Sequence, residues 1–351
     1  ARGYSERIAQ LVEVLDSFEG AYRDSIIGLV EDAKRFDADD REVVRASARK
    51  YLNWHNSYNS EGERKSRSAV GRLRVLFDEL ASPEPVHRHA WLFSNGWVDL
   101  PDGRDEDFEK QEEQRKLLRA NALLEVLSEG GLNALTDLAE RSGNPWLVGW
   151  QIAQAEMEVE PLARWVVEEF RKAGATFQQP LISGILHGST QERRSALFAA
   201  AMNHLSKNGL PEEIAAFVSS LPGDQDTWTL LKTQSELVQS IYWRAIRLGY
   251  LRSDDADRTN VIERLLSVDR PRTAFQAVSI DLAGLAPELI IKILDNIRVG
   301  LEPDGPLPEG WHVGEAIATV QLSGAAPRRA LALLEFAFYR ALEHDKHGVK
   351  N

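Results

Sequence analysis

Apolar residues recur at spacings of three and four along most of this chain, and this spacing most constrains its fold. In the first stripe, Ile8, Leu11, Val12, Leu15 and Phe18 fall on one face of an α-helix. Comparable stripes occur at 162–170, 197–205, 214–221, 237–246 and 261–266. The pattern predicts an all-α protein.

Strand-like alternation is almost absent from the sequence. Only AIATVQL at 316–322 is rich enough in β-branched residues to raise the question of a strand, and a buried helix explains that segment as well. Prolines predict helix starts because the first turn of a helix needs no N–H donor. The prolines in such positions are Pro145, Pro161, Pro211, Pro271, Pro287 and Pro327. Glycines predict helix ends at Gly174, Gly188, Gly209 and Gly249.

Short connections between these helices predict antiparallel hairpins. From residue 116 the hairpins follow one another at intervals of about 30 to 40 residues, a range typical of helical repeats. We therefore expect three regions: an N-terminal helical bundle at 1–94, an acidic connecting loop at 95–115, and a degenerate repeat array at 116–351. Stacking of the hairpins would give an irregular α-solenoid.

Composition limits the chemistry that the chain can carry. The chain has 351 residues, no cysteine and a net charge of −12, which excludes disulfides, thiolate metal sites and cysteine nucleophiles and disfavours a surface that coats nucleic acid. The sequence contains no phosphate-binding glycine loop, no GxSxG and no HExxH. We expect no enzymatic activity of this chain, no cofactor, no membrane partner and a cytoplasmic location.

One region is basic against this acidic background. Residues 41–74 contain nine bases and three acids, with aromatic residues between them, a composition typical of surfaces that bind phosphates and stack bases. The candidate polyanion-binding residues are Arg41, Arg45, Arg49, Lys50, Trp54, Arg64, Lys65 and Arg67. The alternative is a basic helix pair that faces the acidic remainder of the protein, or an interface to another domain.

The stretch HRHAWLFSNGWVDLPDG at 87–103 concentrates histidine, tryptophan and acid. His87 and His89 could bind a metal together with Asp99 or Asp102, as in a metal-dependent hydrolase, but on a helix their rings would point roughly 200° apart. The other interpretation is a helix end in which Trp91 and Phe93 pack inward and the histidines lie at the surface.

A second histidine pair, His344 and His347 beside Glu343, has the helical spacing of a shared ligand. It is also ordinary for a helix C-terminus, because histidine there meets the carbonyl end of the helix dipole.

Residues 115–153, together with HRHAWLF at 87–93 and the acidic loop between them, resemble the degenerate helical-repeat regions of very large bacterial multidomain proteins. These include the signalling NTPases of the STAND class that act in phage defence. The resemblance rests on Gly130-Gly131-Leu132, on Leu147-Val148-Gly149 and on the style of the repeats, and covers about a third of the chain. It implies a sensing or scaffolding array whose effector and nucleotide switch lie elsewhere in a longer protein.

These observations predict an interaction module that binds a protein or peptide on a concave face. Other domains of a longer parent chain are further expected partners. The alternative is a nucleic-acid-binding helical domain that uses the basic 41–74 region.

Overall fold

A computed structural model describes residues 2–57, 67–95, 98–103, 108–172, 178–252, 257–324 and 326–348. These residues form helices and connecting segments, with no β-strand among them. The all-α fold class is therefore confirmed. None of the helices in these ranges is long and apolar enough to cross a membrane.

The chain divides into two units, Ala1–Ala201 and Met202–Asn351. The helices that begin in the first unit are α1 (Arg2–Glu13), α2 (Gly20–Asp32), α3 (Ala38–Ser57), α4 (Arg67–Glu79), α5 (Pro85–His89), α6 (Phe108–Ser142), α7 (Pro145–Gln154), α8 (Val159–Lys172), α9 (Gln178–Gly188) and α10 (Gln191–Asn208). Those that begin in the second are α11 (Pro211–Ser219), α12 (Gln225–Leu231), α13 (Glu236–Ala245), α14 (Arg258–Ser267), α15 (Pro271–Val278), α16 (Pro287–Arg298), α17 (Gly310–Ser323) and α18 (Arg328–Gly348).

Proline marks the helix starts largely as predicted. Of the predicted prolines, Pro145, Pro211, Pro271 and Pro287 begin α7, α11, α15 and α16, whereas Pro161 lies two residues inside α8 and Pro327 directly precedes α18. Helix α5 also begins at a proline, Pro85. The first turn of α7 is also capped, since the Asn144 side chain accepts a hydrogen bond from the Leu147 N–H at 3.2 Å. Segment 316–322 lies within α17, so the helical interpretation of AIATVQL is confirmed.

Helices α1 to α4 surround one hydrophobic core, which runs from Ile8 to Leu80 along the sequence. Helix α1 packs on α3, and α2 packs on α4. Helix α6 begins at Phe108, so the last eight residues of the predicted acidic loop are helical, and α6 contacts α5. The chain divides after Ala201, whereas the sequence predicted boundaries near residues 94 and 115.

Helix α6 is broken at Gly131, where φ is 63° and ψ is −160°. An L-residue with a side chain rarely adopts this backbone conformation, so glycine is required at this kink. Gly131 belongs to the sequence on which the resemblance rests; its local role is to turn the helix.

Helices α7 and α9 approach one another very closely. A Cβ atom built on Gly149 would lie 2.0 Å from the Leu181 carbonyl oxygen, and one on Gly184 would lie 2.1 Å from the Trp146 carbonyl oxygen. Neither position has room for a methyl group. The two glycines therefore let the backbones of α7 and α9 touch.

In the second unit each helix from α13 onward contacts the next one along the chain, through α14, α15, α16 and α17 to α18. Contacts between chain neighbours are typical of repeat proteins, and the solenoid arrangement stays a prediction. The longer non-helical segments in the described part of this succession are 246–252 after α13, 279–286 between α15 and α16, and 299–309 between α16 and α17.

We predict opposite effects for the same substitution at two helical glycines. Gly184→Ala should lower the free energy of unfolding by at least about 2 kcal/mol, because the new methyl group must push α7 and α9 apart. Gly71→Ala in α4, where no atom lies within 4 Å of the added Cβ, should raise it by up to about 1 kcal/mol.

Urea unfolding of the full chain, followed by circular dichroism, measures both effects. Equal shifts in the two variants would show that α7 and α9 are not held by backbone contact at Gly184.

Candidate functional site

Most of the predicted basic region contributes to packing. Arg45 on α3 is only 5% exposed. Its Nε donates to the Phe77 carbonyl at 3.1 Å, and its Nη1 donates to the Arg88 carbonyl at 3.1 Å. The same nitrogen pairs with Glu42 at 3.1 Å. Arg45 therefore stabilises two chain segments, and its side chain cannot reach a polyanion.

Arg49 packs in a similar way one turn later. Its guanidinium lies 4.1 Å from the centroid of the Trp91 ring, a cation–π contact, and it pairs with Glu42 at 3.4 Å. Burial lowers the pKa of Arg49, and Glu42 opposes that effect. The α3 face that carries Arg45 and Arg49 thus contacts aromatic side chains of the first unit.

The other candidate polyanion-binding residues differ in how exposed their side chains are. Arg64 and Lys65 lie outside the described residues, and Arg41 is partly buried. Lys50 is exposed and lies 3.9 Å from Glu13. Trp54 is 47% exposed, and Arg67 is exposed as well. Polyanion binding by Lys50, Trp54 and Arg67 stays a prediction.

Between α5 and α6 the described residues, 90–95 and 98–103, form no α-helix, and side chains of α3 and α6 bond to their backbone. Arg119 Nε donates to the Leu92 carbonyl at 2.8 Å, and Arg115 Nε donates to the Val98 carbonyl at 3.2 Å. Asn53 donates to the Leu100 carbonyl at 2.8 Å. These bonds satisfy carbonyl groups that no regular helix or sheet pairs.

The histidines of this segment face different carboxylates. His87 Nε2 lies 3.3 Å from Glu84, and His89 Nε2 lies 2.7 Å from Glu125. Both rings are partly buried, which corrects the expectation that they lie at the surface. The inward packing of Phe93 is confirmed, since that residue is fully buried.

The predicted metal ligands are not brought together. Asp102 pairs with Arg74 at 3.4 Å. Among the described residues, no three histidine, aspartate or glutamate side chains group as a metal site. The side chains of Glu343, His344 and His347 lie outside the described residues.

Another candidate site lies in the second unit, where a cleft of about 570 Å³ opens at the start of α15. Its lining comes from the non-helical segment 246–252, from the first turns of α15 and from the 299–309 loop. The polar lining residues are Arg247, Arg270, Thr273, Gln276, Glu302 and Asp304. A smaller cavity of about 50 Å³ adjoins it, since Gln276 and Pro306 line both.

The wall of the cleft is built around Glu302. Its carboxylate accepts hydrogen bonds from Arg270 Nε at 3.1 Å, from the Thr273 N–H at 2.9 Å and from the Thr273 hydroxyl at 2.5 Å. Glu302 thus caps the N-terminus of α15 from a distant loop, where a negative charge is stabilised by the helix dipole.

Two arginines tie the cleft walls to one another. Arg270 Nη1 donates to the Trp243 carbonyl at 3.2 Å and to the Ile246 carbonyl at 2.7 Å. Arg272 Nη1 donates to the Pro303 carbonyl at 2.8 Å. The segment after α13 and the loop after α16 are therefore both fixed to α15.

Backbone strain also occurs at this cleft. Among the described residues, only Asp269 and Glu302 have a positive φ without being glycine, at 60° and 56°. Such a conformation costs about 1 kcal/mol or more and is maintained only where surrounding bonds impose it. Glu302 lines the cleft and is held by Arg270 and Thr273, and Asp269 directly precedes Arg270.

No residue of this cleft is among the site residues predicted from the sequence. Its residues come from two connections and a helix start, and no spacing rule relates Arg247 to Glu302. The sequence feature that could have indicated the cleft is the length and proline content of LEPDGPLPEG at 301–310, since long loops on a rigid scaffold often carry function.

Comparison with family models, with curated proteins and with solved structures found no match to this chain.

We predict that Arg45 is required for stability and that its exposed neighbour is not. Arg45→Ala should lower the free energy of unfolding by about 3 kcal/mol, because the buried Phe77 carbonyl and the partly buried Arg88 carbonyl lose this donor and Glu42 keeps only Arg49. Lys50→Ala on the same helix should change it by less than about 0.5 kcal/mol. Urea unfolding of the full chain compares them, and similar unfolding midpoints would contradict the buried role of Arg45.

We also predict a pH dependence that originates at His89. Burial lowers the pKa of His89 below its ordinary value of 6.5, although Glu125 opposes this effect. As the pH falls from 6.5, the unfolded chain takes up this proton before the folded chain, so stability decreases until the folded pKa is passed.

The measurement is the free energy of unfolding between pH 7.5 and pH 5, an interval of about one unit or more on either side of the ordinary histidine pKa. His89→Gln should decrease the slope, since glutamine can bond Glu125 without titrating. An identical slope in the variant would remove His89 as the cause.

Proposed function

We propose that this chain is a non-catalytic α-helical interaction module that binds a protein or peptide partner. The proposed binding site is the cleft of the second unit. The observation that carries the proposal is the cleft of about 570 Å³ whose walls are fixed by the bonds of Arg270, Arg272 and Glu302. A site that is shaped before binding loses less entropy when a partner docks.

The lining is suited to an extended peptide. Among the described residues, the backbone N–H groups of 247–250 have no hydrogen-bond partner, and this segment borders the cleft. Leu248 and Pro306 give the cleft an apolar part. Next to it, Tyr250 is 56% exposed and Leu307 is 81% exposed. Main-chain donors beside small apolar sites are the features by which grooves bind extended peptides.

We further propose that the module is the scaffold or sensor region of a larger cytoplasmic bacterial protein. The support is the resemblance of 115–153 to the repeat regions of STAND-type defence proteins and the succession of neighbouring helices in the second unit. In this proposal other domains of the parent chain are partners as well, the catalytic part lies in one of them, and antiviral defence is the setting.

In the nucleic-acid alternative, Lys50, Trp54 and Arg67 would form the contact surface. Peptide binding has the stronger support, because Arg45 and Arg49 are engaged in packing and do not contribute to a basic surface. The cleft does not depend on residues 41–74, since it lies in the second unit. The described residues likewise give no support to a metal-dependent hydrolase at His87 and His89, whose rings face different carboxylates.

We predict that selection of short random peptides on the immobilised full chain enriches peptides that bind in the cleft. Gln276→Trp fills the cleft from an exposed position on α15 and should weaken binding of a selected peptide by about tenfold or more, equivalent to about 1.4 kcal/mol. Titration calorimetry with the synthesised peptide measures the change.

The matched control is Gln321→Trp, which places the same side chain at an exposed position of α17 outside the cleft lining. It should bind the peptide as the unmodified chain does. Enrichment of no peptide, or equal binding by the Gln276→Trp variant, would contradict the proposed function.

A further inference from the structure

Some charged groups of the cleft already form hydrogen bonds or ion pairs within the protein, and others do not. The groups without such bonds indicate the chemistry of an occupant. The inference rests on the proposed function, because it concerns the peptide bound in the same cleft. Two arginines line the cleft, Arg247 and Arg270, and Arg272 lines the smaller cavity beside it. Arg270 donates to two carbonyls, to Glu302 and to Thr273. Arg272 donates to the Pro303 carbonyl.

Arg247 is different. It is exposed and lines the cleft, and within the described part of the chain its guanidinium has no hydrogen bond or ion pair. Arg247 lies just beyond the end of α13, and no carboxylate of that helix pairs with it. All its N–H groups can therefore donate to an occupant.

The acidic residues divide in the same way. Glu302 is engaged with Arg270 and Thr273, whereas Asp304 is exposed and, among the described residues, has no ion pair. Asp304 and Arg247 line the same cleft without pairing with one another. The cleft thus presents one unengaged cation and one unengaged anion.

This arrangement favours an occupant that carries both charges. A guanidinium pairs with a carboxylate through two parallel hydrogen bonds, and these bonds strengthen when the occupant displaces water from the cleft. A simple anion would meet the repulsion of Asp304, and a simple cation that of Arg247. An extended peptide can place an acidic and a basic side chain at different points along its length.

We propose that the cleft selects an extended peptide in which an acidic side chain pairs with Arg247 and a basic side chain pairs with Asp304. The backbone of the peptide lies along segment 247–250, whose N–H groups have no partner among the described residues. Charge complementarity at these two positions determines which sequences bind.

Charge reversal tests the proposal. Random-peptide selections are run in parallel on the unmodified chain, on Arg247→Glu and on Asp304→Lys. Peptides from the unmodified chain should share an acidic and a basic position. Arg247→Glu should replace the acidic position by a basic one, and Asp304→Lys should replace the basic position by an acidic one.

A synthesised peptide gives the quantitative form of the same test. Changing its acidic residue to lysine should weaken binding to the unmodified chain by about tenfold or more, and the Arg247→Glu variant should recover most of that loss. Both Arg247 and Asp304 are exposed and unengaged, so these variants should unfold at the same temperature as the unmodified chain, which circular dichroism verifies.

The control is Lys292→Glu, a reversal of the same sign at an exposed position of α16 outside the cleft lining; its peptides should match those of the unmodified chain. Identical peptides from the unmodified chain and from both cleft variants would overturn the charge-pairing inference and leave peptide binding intact. Failure of the unmodified chain to enrich any peptide would overturn the proposed function itself.

Discussion

The interaction on which this fold most depends is the hydrogen bond from a buried arginine to a backbone carbonyl at a helix end. The last carbonyls of every helix lack an intrahelical donor, and a chain of short helices buries many such ends. Arg45 supplies donors to Phe77 at the end of α4, Arg194 to Leu186 at the end of α9, and Arg270 to Ile246 after α13. A guanidinium carries five donors on a long apolar stem, so one side chain can satisfy several carbonyls in the interior.

These bonds also determine the shape of the irregular backbone. In the first unit, Arg115 and Arg119 hold the turns between α5 and α6 through Val98 and Leu92. In the second unit, Arg270 and Arg272 hold the segments on either side of the cleft. The cleft is therefore a consequence of the way in which the chain satisfies its carbonyls: the bonds that fix its walls leave a space that no helix fills.

Sequence periodicity was sufficient to predict the fold class, because the buried face of a helix is visible in the three- and four-residue spacing of its apolar residues. It failed at the buried arginines, since charged residues are ordinarily exposed and their carbonyl partners are distant in sequence. The apolar stripes nevertheless contain a signal. Arg194 takes the first position of the stripe Leu197, Phe198 and Ala201, and Arg258 takes the first position of Val261, Ile262 and Leu265. Both arginines are at most 5% exposed.

The same criterion separates the arginines that hold the fold from one that is free to bind. Arg45 shares the buried face of Ala48 and Leu52, so its position in the stripe predicts engagement, and counting it in a basic surface was misleading. Arg247 follows the buried Ile246 beyond the end of α13, so the apolar stripe of that helix does not include it. The cleft itself could not be predicted, because Arg247 and Asp304 belong to different connections and only tertiary packing places them in one cavity. Local charge density is therefore a poor guide to function in such a chain, and the position of each arginine relative to the apolar stripe is a better one.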